Sequence, residues 1–208
     1  MLTKRFAFLA LMFLTVSTCA LAQKSEVAFV AGSTFSPGVT GHGVCGDAIP
    51  GCITPTTPTH FSIDQGFTFE GSYAYRLADF KLASVHLEVP LVFSPSRKAN
   101  TFSQLNRDTF STFFFTPSVK LKLLPASGVS PFLSAGGGMA HFVDGTTANT
   151  GAFQLGGGLD FKTHLPLLGF RVEARDFITG RPGTNSFGNV TSDHLQHIFV
   201  GGGITLHF

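Results

Sequence analysis

Large apolar side chains recur at every second position through most of this chain. Between 66 and 77, Phe67, Phe69, Gly71, Tyr73, Tyr75 and Leu77 share one parity, and Glu70, Ser72, Ala74 and Arg76 the other. In 81–93, Ala83, Val85, Leu87, Val89, Leu91 and Phe93 oppose Ser84, His86 and Glu88. In 112–123, Phe113, Phe115, Val119, Leu121 and Leu123 oppose Thr112, Thr116, Ser118, Lys120 and Lys122. Phe170, Val172 and Ala174 oppose Arg171, Glu173 and Arg175, and Ile198, Val200, Ile204, Leu206 and Phe208 oppose His197, Thr205 and His207. A period of two marks strands with unlike faces. Eight segments read this way: 26–36, 60–77, 81–94, 109–124, 129–143, 151–165, 169–179 and 194–208. The links 36–60, 94–109, 144–150 and 180–194 are mostly long and polar, whereas 77–81, 124–129 and 165–169 are tight. Long and short links alternate when hairpins of one parity face outside and the others the periplasm. Pro90 and Pro117 fall inside strands and predict bulges or shifted boundaries.

Alternation fits any half-buried strand, so composition has to decide where the apolar face points. The 208 residues include 24 Phe and 24 Gly, with only 12% charged. An ordinary soluble domain carries about 25% charge. The hydrophobicity excludes a disordered chain, and the net charge of +2 argues against a nucleic-acid binder. The first residues stand apart. Lys4 and Arg5 form a basic start, 6–16 are apolar, and Ala20-Leu21-Ala22 is a small-residue cleavage site, so 1–22 read as a secretory signal peptide cut after Ala22. An acylated Cys19 or an uncleaved anchor are the alternatives. Without Lys4 and Arg5, twelve basic side chains balance twelve acidic ones. No apolar run of about 18 residues remains to make a helical span. A closed β-barrel is the other structure that satisfies its backbone in lipid.

The bulky face would overfill the interior of an eight-stranded barrel but fits outward against lipid. The polar face then points inward, and buried charges must be paired. Glu70, Glu88, Asp160 and Glu173 should therefore meet Arg76, Lys120, Lys122, Lys162, Arg171 and Arg175 in an ion-pair network that plugs the lumen, with His86 and His207 joining it. A charged conduction path is the competing reading. The chain has no Trp, so Phe with Tyr73 and Tyr75 must serve at the membrane interfaces.

Glycine triplets at 136–138, 156–158 and 201–203 lack the Lys-Ser/Thr and helix of a phosphate loop. Two glycines of each should point inward, leaving room for long charged side chains and permitting tight coiling. The last strand, Gly203-Ile204-Thr205-Leu206-His207-Phe208, alternates and ends in Phe. With 131–136 (Pro-Phe-Leu-Ser-Ala-Gly), it resembles the small outer-membrane β-barrels of the OmpA/OmpX type, over all of 23–208. The resemblance implies that Gly203, Ile204, Leu206 and Phe208 form the signal read by the outer-membrane assembly machinery. It also implies lipopolysaccharide and phospholipid as surroundings, and a structural or surface-binding role in adhesion or envelope integrity. The expected fold is all-β: an eight-stranded antiparallel up-and-down transmembrane β-barrel preceded by a signal peptide, in one barrel domain, 23–208.

Cys45 and Cys52 remain after cleavage and, in an oxidising compartment, read as a disulfide bracing the largest loop. Some barrels of this type are lipid A-modifying enzymes. His60, Ser62 and Asp64 share a strand parity that would suit a deacylase, and Ser192, Asp193 and His194 sit at a rim that would suit an acyl transfer. Both sets also read as ordinary strand-start and loop residues. His194 and His197 are three apart, which on a strand puts them on opposite faces and disfavours a metal site. Asn189-Val-Thr191 matches a glycosylation sequon but carries little weight in a bacterium. The reading is a monomeric, non-enzymatic barrel without cofactor or nucleic-acid partner, its loops free to take a surface ligand. A small-solute channel and a soluble lipocalin-like carrier are the other classes.

Overall fold

The structure, a computed structural model, describes residues 24–42, 58–100, 107–143, 147–165, 167–180 and 194–208. They form strands β1 (Ser25–His42), β2 (Pro58–Asp79), β3 (Ala83–Asn100), β4 (Arg107–Phe115), β5 (Ser118–Leu123), β6 (Val129–Val143), β7 (Thr147–Lys162), β8 (Leu168–Gly180) and β9 (His194–His207). Neighbouring strands pair antiparallel, β4 and β5 each lying between β3 and β6, and β1 pairs with β9, so the sheet closes on itself. Closure leaves no sheet edge, which lets the backbone satisfy itself without water.

Nine strands make eight barrel staves because β4 and β5 are two halves of one. Pro117 has no N–H to donate, so the ladder lapses there. The register nevertheless carries across the gap. Phe115 faces Leu91 and Ser118 faces Glu88 on β3, while on β6 they face Met139 and Gly136. The distortion expected at Pro90 is absent, since Pro90 pairs with Ser72 in unbroken register. The register slips elsewhere, across Ser36–Val39, which holds Pro37, and across Ser94–Arg97, which holds Pro95. Two residues there fall between partners, the mark of a β-bulge.

The outward parity is the apolar one. Leu133, Phe29, Phe67 and Phe170 are each more than half exposed, and Phe69, Phe93, Leu155 and Val200 lie on the same wall. No helix of the described residues is long and apolar enough to cross a membrane. This band of bare Phe and Leu around a closed barrel is what a bilayer covers. The tight turns 80–82 and 124–128 and the short link from β7 to β8 gather at one end, where the Ser25 and Phe208 backbones exchange hydrogen bonds of 2.9 Å. By the rule that short turns face the periplasm, this is the periplasmic end. The triplet glycines sort as their parity implies. A Cβ on Gly156 would press on the Arg175 stem, and one on Gly203 would strike the Phe29 carbonyl of β1. Glycine thus makes room for an inward cation in one place and lets two strands coil closely in the other.

Candidate functional site

The lumen is filled by two layers of unlike chemistry. The layer nearer the periplasm is ionic. Lys120 reaches Glu26 at 2.8 Å, Glu88 at 3.5 Å and Asp160 at 3.8 Å. Lys122 spans Glu26 and Asp160 at 2.8 and 2.6 Å. Arg171 grips Asp160 with two donors, Nε at 2.7 Å and Nη2 at 3.0 Å, and also contacts Glu26. Next above, Arg175 holds Glu70 at 2.8 Å and Glu88 and Glu173 at 3.1 Å each. Glu88 joins the two tiers, because Arg171 also approaches it at 3.6 Å. Phe132 floors the cluster, with Lys120 and Arg171 4.3 and 4.8 Å from its ring centre. All these charged side chains are buried. They come from β1, β2, β3, β5, β7 and β8, so one cluster ties together most of the ring.

The structure therefore brings together Glu70, Glu88, Lys120, Lys122, Asp160, Arg171, Glu173 and Arg175. It does not bring Arg76 or Lys162 with them. Arg76 pairs with Asp79 at 2.5 Å and keeps 29% of its side chain exposed, and the Lys162 ammonium donates to the Pro125 carbonyl. Both have inward parity but sit where their strands run out into turns, so they line the periplasmic mouth instead of the plug. His207 touches Glu26 at 3.2 Å, while His86 is held by Ser84 at 2.9 Å and stays apart. Glu26 is a network member that sequence reasoning missed. Its parity partners Ala28 and Val30 are apolar, so the first strand shows no charged face.

The layer toward the outer end is aromatic. Phe110, Phe114, Phe142, Phe177 and Phe199 are buried there with Val30, Val92 and Leu195. Phe114 stacks on Phe177 with centroids 4.5 Å apart and meets Phe142 edge-on at 6.4 Å. This corrects the expectation of a polar inward face throughout. These Phe residues share the parity of Thr112, Glu173 and His197, so in the outer half both faces of the strands are apolar. On the outer side of Val30 and Val92, Thr34 and Ser94 bond Thr68 at 2.7 and 2.6 Å, and between the layers Thr116 donates to Gln154 at 2.7 Å.

A second missed residue, Arg97, caps the aromatic layer. It is 1% exposed, donates to His197 Nδ1 at 2.9 Å and Ser36 Oγ at 2.8 Å, and lies 5.8 Å from the Phe110 ring centre. The bulge explains it. Pro95 and Ser96 both face out, so the parity inverts and residue 97, outward by simple counting, turns inward. His194 is exposed while His197 is buried, so the pair does not converge. Asp64 is exposed, and the side chains of His60 and Ser62 lie outside the described residues. So do residues 1–22, Cys45 and Cys52, Asn189 to Thr191, and Ser192 and Asp193. Gly203, Ile204 and Leu206 close β9 against β1, where Gly203 faces Val30 and Leu206 faces Val27.

No protein-family model matches the chain, and no curated protein sequence does. Solved structures do. The Neisserial surface protein A superposes with a TM-score of 0.56 at 12% identity, over 90% of this chain and 98% of that one. The outer membrane protein OprG of Pseudomonas aeruginosa gives 0.53 at 10% identity, over 91% and 98%. At such identity the likeness is one of fold. By fold, the chain is a small eight-stranded outer-membrane β-barrel.

Proposed function

We propose that this barrel is a closed scaffold in the bacterial outer membrane, whose structural or surface-binding role, in adhesion or envelope integrity, is carried by the links at its outer end. The observation that carries the reading is the double filling of the lumen. An ionic layer and an aromatic layer stand in series, and Lys120, Arg171, Phe114 and Phe177 are each 1% exposed or less. A stave ring whose lumen is packed with buried side chains leaves binding to the segments it displays. In this reading the signal peptide 1–22 is removed, and the assembly machinery reads Gly203, Ile204, Leu206 and Phe208. A Cys45–Cys52 disulfide braces the longest link, and the monomeric barrel sits among lipopolysaccharide and phospholipid.

The test uses purified full-length protein in planar bilayers and on cells. The barrel should give no stable single-channel steps. Replacing 43–57 or 181–193 by Gly-Ser linkers should abolish surface binding while heat-dependent gel mobility persists. Steady conductance would make it a channel. Lipid A hydrolysis lost on His60→Ala or Ser62→Ala would make it an enzyme.

A further inference from the structure

The periplasmic mouth opens into a cavity of about 530 Å³ that the lumen network does not fill. Its wall carries Lys24, Arg76, Lys81, Lys122 and Lys162 against only Glu26 and Asp79. Both carboxylates are already engaged. Glu26 is held by Lys120, Lys122 and Arg171, and Asp79 by Arg76. Among the described residues, no carboxylate lies within ion-pair distance of Lys24, Lys81 or Lys162. The three come from separate places: the residue before β1, the turn after β2 and the last residue of β7. Three exposed ammonium groups without a carboxylate partner around one cavity give it a positive potential that favours an anion.

We propose that this vestibule binds a phosphate group. Lysine ammoniums are point donors that can surround a tetrahedral anion from several sides, whereas planar carboxylates favour the guanidinium fork, and the one arginine here is already paired with Asp79. The surroundings fix the depth of the site. Phe80, Leu82 and Leu165 on the adjoining turns are 60–69% exposed, so these turns touch the membrane interface, where lipid phosphates lie. The phosphate has two sources, a phospholipid headgroup of the surrounding leaflet or a soluble phosphate of the periplasm. The site is independent of any role of the outer links.

The experiment uses the full chain, folded in zwitterionic micelles and in lipid nanodiscs. Calorimetric titration with inorganic phosphate at low salt should give one saturable site of roughly millimolar Kd. The triple variant Lys24→Gln, Lys81→Gln, Lys162→Gln should weaken it about tenfold. Lys81→Gln alone, a change in an exposed turn that does not endanger folding, should weaken it about threefold, whereas Lys98→Gln at the outer end should not change it. In nanodiscs of mixed phosphatidylglycerol and phosphatidylcholine, native mass spectrometry should find phosphatidylglycerol retained by the natural protein and lost from the triple variant. Phosphate binding without this lipid preference assigns the soluble source, and lipid retention assigns the headgroup. If natural protein and variants behave alike in both arms, the vestibule is not a phosphate site.

Discussion

The two halves of the lumen solve the same filling problem in opposite ways. Near the periplasm, each charged group is held by charged partners, nearly all from other strands, and none has an apolar substitute of the same reach. Toward the outer end, five phenylalanines fill the same cross-section by shape alone. The difference lies in what a lost side chain leaves behind. A missing phenylalanine leaves a void, which neighbours partly close. A missing cation leaves carboxylates buried without a counter-charge, which no repacking repairs. The ionic half thus enforces strand registry, and the aromatic half tolerates exchange.

The largest effect that would test this contrast is Arg175→Met. Arg175 is the only ion-pair partner of Glu70 and Glu173 among the described residues, and it also holds Glu88. Its loss should cost about 3–5 kcal/mol or more, read as a lowered urea midpoint of the barrel in vesicles. Phe114→Ala should follow at about 3 kcal/mol, since the ring is wholly buried against Phe177 and Phe142. Phe114→Leu should recover most of that, staying within about 1.5 kcal/mol of the natural protein. If leucine recovers nothing, the aromatic half is as exacting as the ionic one. The smallest effect belongs to Glu70→Gln. Among the buried network residues, five carboxylates face four Lys and Arg cations, and Glu70 holds one ion pair with no well-aligned hydrogen bond. Removing its charge should shift the midpoint by under about 1 kcal/mol. A large loss would show that the ionic layer needs every carboxylate charged.

The outer wall was legible because lipid favours large apolar residues at outward positions, with only a few small or polar ones such as Gly71 and Gly202 among them. That preference wrote a readable parity into 66–77, 81–93 and 195–208. The ionic half was legible for the converse reason, since Lys120, Lys122, Arg171 and Arg175 stand out against apolar neighbours. The aromatic half was not. Phe113, Phe114 and Phe115 are consecutive, so although counting puts Phe114 on the parity of Thr112 and Thr116, no change of polarity marks it as an inward residue. Arg76 and Lys162 show a different limit: parity gives the wall but not the depth at which a strand leaves the lumen. Glu26 hides at the end of a strand whose other inward residues are small or apolar. Pro90 and Pro117 look alike in sequence, yet only one interrupts the ladder.

The bulge at Pro95 and Ser96 behaves like a change of reading frame. Up to Ser94 the even-numbered residues of β3 enter the lumen, and beyond the bulge the odd-numbered Arg97 does. A single deletion there would restore the frame without changing any chemical group upstream. Arg97 would stay inward opposite Phe110, because the two outward residues that now share one step opposite Ser111 would become one. A barrel of this kind can therefore take an extra residue into one strand and leave the contents of its outer chamber unchanged.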